Sequence, residues 1–303
     1  MRILVASTTF PVAAEMLAKL LPDDEVLVDH RRVDEPVDVI VPLMSRIDAG
    51  MMDRFRPRLI QQFGVGLEGV DLAAAAERGI AVANVAGHDT GNADGVGEIA
   101  VLHLLALTRR LHEAREAVQA GKLGEPIGVP LSGARIVVLG LGAVGRAVVN
   151  RLSGFRAHIT GVGSRDASDL SDEVRALALE AYLPVARLLD ALAGADALIV
   201  GCVLNQHTRG LVGARTLAAL RTGGYLVNVA RGPVVDYAAL LAALRSGQIG
   251  GAGLDVFWDE PIDPLDPLLE QNVSVTPHIG GVTTGSYRLM AERVVAGIER
   301  HRG

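Results

Sequence analysis

No segment narrows the possible folds of this chain as far as GLGAVG at 140–145. It follows the apolar run RIVVL and leads into AVGRAVVNRL, which carries a helical pattern. A glycine triplet at this spacing between a strand and a helix does three things. Gly140 allows the tight turn, Gly142 lets a pyrophosphate approach the backbone, and Gly145 lets the helix pack close to the sheet. Ala143 and Val144 open the helix, whose N–H groups and positive dipole end face the phosphates. Glycine is common here, 35 of 303 residues, so the strand–loop–helix context carries the inference rather than the spacing alone. These residues are the first predicted contacts of a dinucleotide.

Around that loop, short apolar runs alternate with helical patterns. RILVA (2–6), EVLV (25–28), VDVIV (37–41), LIQQF (59–63) and IAVAN (80–84) read as strands apolar on both faces, as in a covered parallel sheet. VAAEMLAKLL (12–21) and DLAAAAERG (71–79) read as helices between them. A second series begins at Arg135, with strands at 135–140, 158–163, 196–203, 225–230, 252–257 and 273–277. Residues 93–121 hold one long helical pattern between the two series, and 122–132, with Pro126 and Pro130, read as a loop. TGSYRLMAERVVAGIERH reads as a final helix that returns to the first series. The length suits two domains. Half the residues are hydrophobic but only 3% are aromatic, so the core is built from Ala, Val and Leu. The predicted fold is α/β with two Rossmann-like domains separated by a cleft. A flavodoxin-like substrate domain takes 1–92 and 278–303, and a dinucleotide-binding domain takes 93–277.

A net charge of -6 and the lack of a Lys/Arg-rich run argue against nucleic acid and acidic membranes as partners. No run of 18 apolar residues is free of charge, so no membrane span is predicted. MRILVAST reads as a first strand rather than a signal peptide. Cys202 is the only cysteine; it reads as a packing residue, and the expected compartment is the cytoplasm. No metal is expected.

An acid about 20 residues beyond the glycine loop would bind a ribose 2′-OH. Here the second strand ends Gly161-Val162-Gly163-Ser164-Arg165, with Gly163 where that acid would stand. Removing a carboxylate removes repulsion toward a 2′-phosphate, and a guanidinium can bind that phosphate with two hydrogen bonds. Ser164 and Arg165 therefore point to NADP over NAD, with Asp166 as a counterargument. Three later segments place polar residues at strand ends, which face the ligand crevice in open α/β sheets. They are VNVARGP with Arg231, AGLDVFWDEP with Asp255 inside a strand and Glu260 in the next turn, and VTPHIGG with His278.

VNVARGPVVD, GLDVFWDEP and TPHIGG together resemble the D-isomer-specific 2-hydroxyacid dehydrogenases, of the glyoxylate/hydroxypyruvate reductase kind. The resemblance runs from GVGLEGVDLAAAAERGIAVAN (64–84) to TPHIGG (276–281). It implies that Arg231 binds the substrate carboxylate and polarises the keto oxygen. His278 is implied to be general acid in reduction, paired with Glu260. Asp255 is implied to orient the nicotinamide end, with Val229, Ala230 and Gly280 among the cofactor contacts. In FGVGLEG (63–69), the N–H groups of Val65 and Gly66 are implied donors to the substrate carboxylate, with Leu67-Glu68-Gly69 in place of the family's common aromatic. The chemistry suits the residue types: arginine's fork matches a carboxylate beside a carbonyl, histidine exchanges a proton near neutral pH, and a neighbouring carboxylate stabilises imidazolium. The hydride comes from the cofactor. His88, in AGHDTGN, is a further candidate to touch substrate; the other histidines, His103 among them, are assigned no catalysis. The expected partner is a small 2-oxo or 2-hydroxy acid, and a homodimer is expected from the apolar helix at 96–107 and the family. A non-catalytic dinucleotide sensor or corepressor on the same fold is the alternative; the presence of Arg231, Glu260 and His278 together argues against it.

Overall fold

The computed structural model describes residues 1–86 and 90–302. The chain forms two compact units, Met1–Asn92 with Thr283–Gly303, and Ala93–Val282.

The first unit is a parallel sheet of β1 (Arg2–Val5), β2 (Glu25–Val28), β3 (Val39–Val41), β4 (Leu59–Gln61) and β5 (Ala81–Ala83). Among the described residues its order is β2-β1-β3-β4-β5, the flavodoxin-like arrangement. β3 and β4 are buried along their whole length, which suits the unbroken apolar run Val39-Ile40-Val41 of β3, while β4 also buries the polar Gln61. Helices α1 (Pro11–Leu20), α2 (Ala49–Phe55) and α3 (Leu72–Glu77) connect the strands. Asp48 and Asp71 cap α2 and α3 by accepting from Met51 N–H (3.0 Å) and Ala74 N–H (2.9 Å). The final helix, Thr284–Glu299, buries Tyr287, Met290, Ala291, Val294 and Ile298. These recur every three or four residues, so they form one apolar stripe, and it packs in the same core as Ala13 and Leu17 of α1.

The second unit starts with α4 (Asn92–Thr108), whose first residue belongs to the other unit, and α5 (Leu111–Gln119). It continues through β6 (Arg135–Leu139), α6 (Ala143–Leu152), β7 (His158–Gly163), α7 (Asp172–Arg175), β8 (Ala181–Pro184), α8 (Leu188–Leu192), β9 (Ala197–Val200), α9 (Ala214–Ala219), β10 (Gly224–Asn228), α10 (Tyr237–Arg245), β11 (Ile249–Leu254) and β12 (Val273–Val275). Among the described residues these strands form one parallel sheet, ordered β12-β11-β10-β9-β6-β7-β8. The order reverses between β6 and β9, so the loops after these two strands flank the crevice where such sheets bind ligands.

Four details depart from the sequence reading. The helical pattern at 93–121 is two helices, because Arg110 takes a left-handed backbone (φ 51°) and ends the first run. β8 is an additional edge strand; four residues ending in Pro184 give too short a signal. β11 ends at Leu254, so Asp255 lies just past the strand rather than inside it. The second unit extends to Val282 rather than stopping at residue 277, because the N–H groups of His278, Ile279 and Gly280 all bond to Asp255. Among the described residues, no helix is long and apolar enough to cross a membrane.

Candidate active site

The glycine loop is crowded on two sides and open on a third. Gly140 has φ 92°, and its N–H donates to Val162 O (2.7 Å). A Cβ there would lie 2.6 Å from the Cys202 backbone, and a Cβ on Gly145 would collide with the Gly140 carbonyl oxygen. Gly142, the N-cap of α6, has nothing within 4 Å of where its Cβ would be, and no side chain caps this helix. The first-turn N–H groups are thus left to an outside acceptor, and the open space lies over them, so these residues fit a dinucleotide's pyrophosphate. Cys202 contributes packing: burial pushes its thiol up to about 11, away from the nucleophilic thiolate.

Ser164 and Arg165 are exposed after β7. The Tyr182 hydroxyl, on β8, donates to the Arg165 carbonyl (2.6 Å), and a Cβ at Gly163 would come 2.7 Å from that hydroxyl. Tyr182 therefore holds this turn, and its hydroxyl would have to shift to admit a side chain at 163. The Glu173 carboxyl lies below its ordinary range, chiefly through a hydrogen bond from Ser171, with the positive fields of Arg146 and Arg165 adding to it. Arg146 was passed over in the sequence; its signal is a basic residue directly after the third glycine.

The catalytic candidates of the second unit converge on Asp255. The turn after β10 is held by fully buried Asn228, whose Oδ1 accepts from Ala230 N–H (3.1 Å) and whose Nδ2 donates to Arg231 O (2.9 Å). Val229 and Ala230 are buried, and Arg231 is half-buried. Gly232 lets this turn press on the next loop, since a Cβ there would collide with the Phe257 carbonyl. Asp255 N–H donates to Asn228 O (3.1 Å), which ties the Arg231 turn to the segment after β11. The Asp255 carboxylate accepts from Thr276 Oγ1 (2.6 Å), Ile279 N–H (2.9 Å) and Gly280 N–H (2.8 Å). Burial pushes its carboxyl above the ordinary value, and these three donors oppose that shift. His278 takes φ 54°, in the left-handed region, with its N–H on Asp255 O (2.8 Å). Its Nδ1 lies 2.6 Å from Glu260 Oε2, while Glu260 Oε1 accepts from Phe257 N–H (2.9 Å). Glu260 is thus oriented from behind before it meets the imidazole. Asp255, Glu260, His278 and Gly280 form one hydrogen-bonded cluster; Asn228 and Thr276, which complete it, gave no chemical signal in the sequence.

In the first unit, three successive carbonyls of the loop after β4 are taken by hydrogen-bond donors. Gly64 O accepts from Val85 N–H (2.9 Å), Val65 O from Asn84 Nδ2 (2.7 Å) and Gly66 O from Gln62 Nε2 (2.8 Å). In a trans peptide the N–H points opposite to the C=O. The N–H groups of Val65, Gly66 and Leu67 therefore each turn away from the partner of the preceding carbonyl. His88 lies outside the described residues.

The model of the D-isomer specific 2-hydroxyacid dehydrogenase NAD-binding domain matches residues 101–280. The chain belongs to that family. It is an oxidoreductase acting on the CH–OH group of donors. Among its relatives is a glyoxylate/hydroxypyruvate reductase A, HPR2, of Arabidopsis thaliana, 34% identical over 80% of this chain and 74% of that one. A glyoxylate reductase of Thermofilum pendens is 34% identical over 86% of this chain and 77% of its own length. In structure, the dehydrogenase resembles the NADPH-dependent glyoxylate/hydroxypyruvate reductase of Sinorhizobium meliloti, solved with NADP and malonate. That likeness has a TM-score of 0.83 and 32% identity, and covers 98% of this chain and 92% of the other. NAD(P)-dependent 2-hydroxyacid chemistry on a two-domain α/β fold is therefore the setting of the cluster.

Proposed function

We propose that this dehydrogenase reduces a small 2-oxo acid, glyoxylate or hydroxypyruvate, with His278 as general acid. What supports this most is the 2.6 Å contact between His278 Nδ1 and Glu260, itself oriented by Phe257 N–H. With Nδ1 committed to a carboxylate, Nε2 is the nitrogen able to hand a proton to the keto oxygen. The Arg231 guanidinium binds the substrate carboxylate and polarises the carbonyl, and in the first unit the N–H groups of Val65 and Gly66 offer further donors to that carboxylate. The dinucleotide, when bound, supplies the hydride. Gly140, Gly142, Ala143, Val144 and Gly145 hold its phosphates; Val229, Ala230, Asp255 and Gly280 serve its nicotinamide end.

NADP is the preferred cofactor in this reading, through exposed Ser164 and Arg165, with Gly163 standing where a ribose-binding acid would be. The protein works as a homodimer, supported by apolar side chains left in water after α4: Leu123 is 95% and Ile127 84% exposed, with Leu111 and Val118 nearby in sequence.

The test is a matrix of kcat/KM for NADPH and NADH against glyoxylate, hydroxypyruvate, pyruvate and longer 2-oxo acids. Glyoxylate or hydroxypyruvate should lead, with NADPH preferred, and His278→Gln should lower kcat by about 10³-fold. NADPH binding without oxidation by any acid would overturn the catalytic reading, a strong NADH preference that of Arg165, and a monomer mass by light scattering that of the dimer.

A further inference from the structure

One fully buried imidazole has no part in the chemistry just proposed. His103, on α4, has no solvent exposure. Its Nδ1 is 2.9 Å from Ser274 Oγ and its Nε2 is 3.0 Å from Thr276 Oγ1, the hydroxyl that reaches Asp255. The donor inventory settles which way each bond runs. Thr276 Oγ1 donates to Asp255 Oδ1, and its single hydroxyl proton is spent in that bond. Thr276 Oγ1 must then accept from His103, so Nε2 carries the hydrogen. Burial lowers the His103 pKa to about 4, so the ring is neutral at neutral pH and Nδ1 is a bare acceptor for the Ser274 hydroxyl. The order is Ser274 to His103 to Thr276 to Asp255, each donating to the next, and Asp255 in turn gathers the N–H groups of Ile279 and Gly280. Strand and helix are in close contact there: a Cβ at Gly253 of β11 would lie 2.5 Å from the His103 Cβ.

We propose that His103 is a positioning residue for the reaction, which by donating from Nε2 commits the Thr276 hydroxyl to Asp255 and so holds the 278–280 turn that aims His278. The proposal rests on the reading of His278 as the acid. A threonine hydroxyl otherwise rotates to suit any nearby acceptor. A buried carboxylate that loses a donor is costly, and the turn it anchors loosens with it.

The experiment pairs kinetics with amide exchange in the protein without added nucleotide. His103→Leu should lower kcat for glyoxylate with NADPH by about tenfold, the rate equivalent of one hydrogen bond, with both KM values within about twofold. Exchange at Ile279 and Gly280 should quicken in the same variant, also by about tenfold. His103→Gln should recover most of the rate, because its amide places an N–H toward Thr276 and an oxygen toward Ser274. Should His103→Leu fold poorly, Thr276→Val tests the same link with α4 intact. It should reproduce both effects, and the double variant should lose no more than either single one. Wild-type kcat and exchange in Thr276→Val, or a Gln variant no better than Leu, would overturn the proposal. His278→Gln with full kcat would sink the acid reading instead, while the exchange rates would still report on the link from His103 to Asp255.

Discussion

The glycine-bearing turns after β4 and β6, one in each unit, present backbone N–H groups by opposite means. The turn at 140–145 works by what is missing. Gly145 has no side chain to keep α6 off the Gly140 carbonyl, and Gly142 leaves space open over an uncapped helix start. The turn at 64–67 works by what is present: Gln62, Asn84 and the Val85 N–H take its carbonyls and so set the direction of its N–H groups. Gly64, at φ 139° with nothing within 4 Å, is there for its backbone alone. The first kind of anion site is inherited from a helix, whereas the second must be assembled from side chains on neighbouring segments.

The contrast can be broken at several points. The largest effect is expected for Gly145→Ala, whose methyl meets backbone that cannot move without separating α6 from β6. It should destabilise the protein by about 3 kcal/mol or more and abolish NADPH binding, read by urea unfolding and calorimetric titration. Unchanged unfolding would mean that α6 can retreat, and that close packing does not define this turn.

A second test uses the buried histidine behind the second unit's site. The folded-state pKa of His103, about 4, lies below the ordinary 6.5. Between these values the unfolded chain takes up a proton that the folded one refuses. Its contribution to stability is therefore complete above pH 6.5 and is lost as pH falls toward 4, by at most about 1.4 kcal/mol per pH unit. Urea unfolding from pH 7.5 to 4.5 should show this slope in the wild type and a shallower one in His103→Leu. Equal slopes would remove His103 as the source.

Gly142→Ala separates binding from stability. With open space around the new methyl, stability should stay within about 0.5 kcal/mol, while NADPH affinity falls by about tenfold or more as the methyl takes the pyrophosphate's place. The smallest effect should come from the other turn. Asn84→Ala frees one carbonyl of three, and should raise the KM for the 2-oxo acid about fivefold while leaving the Kd for NADPH unchanged. A matching loss of NADPH affinity would show that the two turns do not divide the ligands in this way.

Much of this was legible in the chain itself. The short β-prone runs EVLV and HITGVG made β2 and β7 readable residue for residue, although β2 is an edge strand with both ends exposed, and Gly140, Gly142 and Gly145 declare their turn through spacing and context. Arg231, Glu260 and His278 stood out because charged residues beside apolar strands need a reason to be there. What stayed hidden lacks a local signal. The edge strand β8 is short and ends in proline, and the break before α5 comes from a single left-handed arginine. Asn228, Tyr182, Thr276 and His103 act through hydrogen bonds to residues distant in sequence, and nothing at their own positions marks them.

The sequence by itself determined most of the alternation of strands and helices, the glycine loop and the identity of the acid–base candidates, because these depend on periodicity and residue chemistry within a few neighbours. Only the tertiary structure decided how those residues are held. It showed Asp255 gathering the 278–280 turn, Glu260 braced by Phe257 N–H, and His103 set behind Thr276. Hydrogen-bond direction depends on which donors and acceptors meet in space, and that is settled only when β10, β11, β12 and α4 pack together.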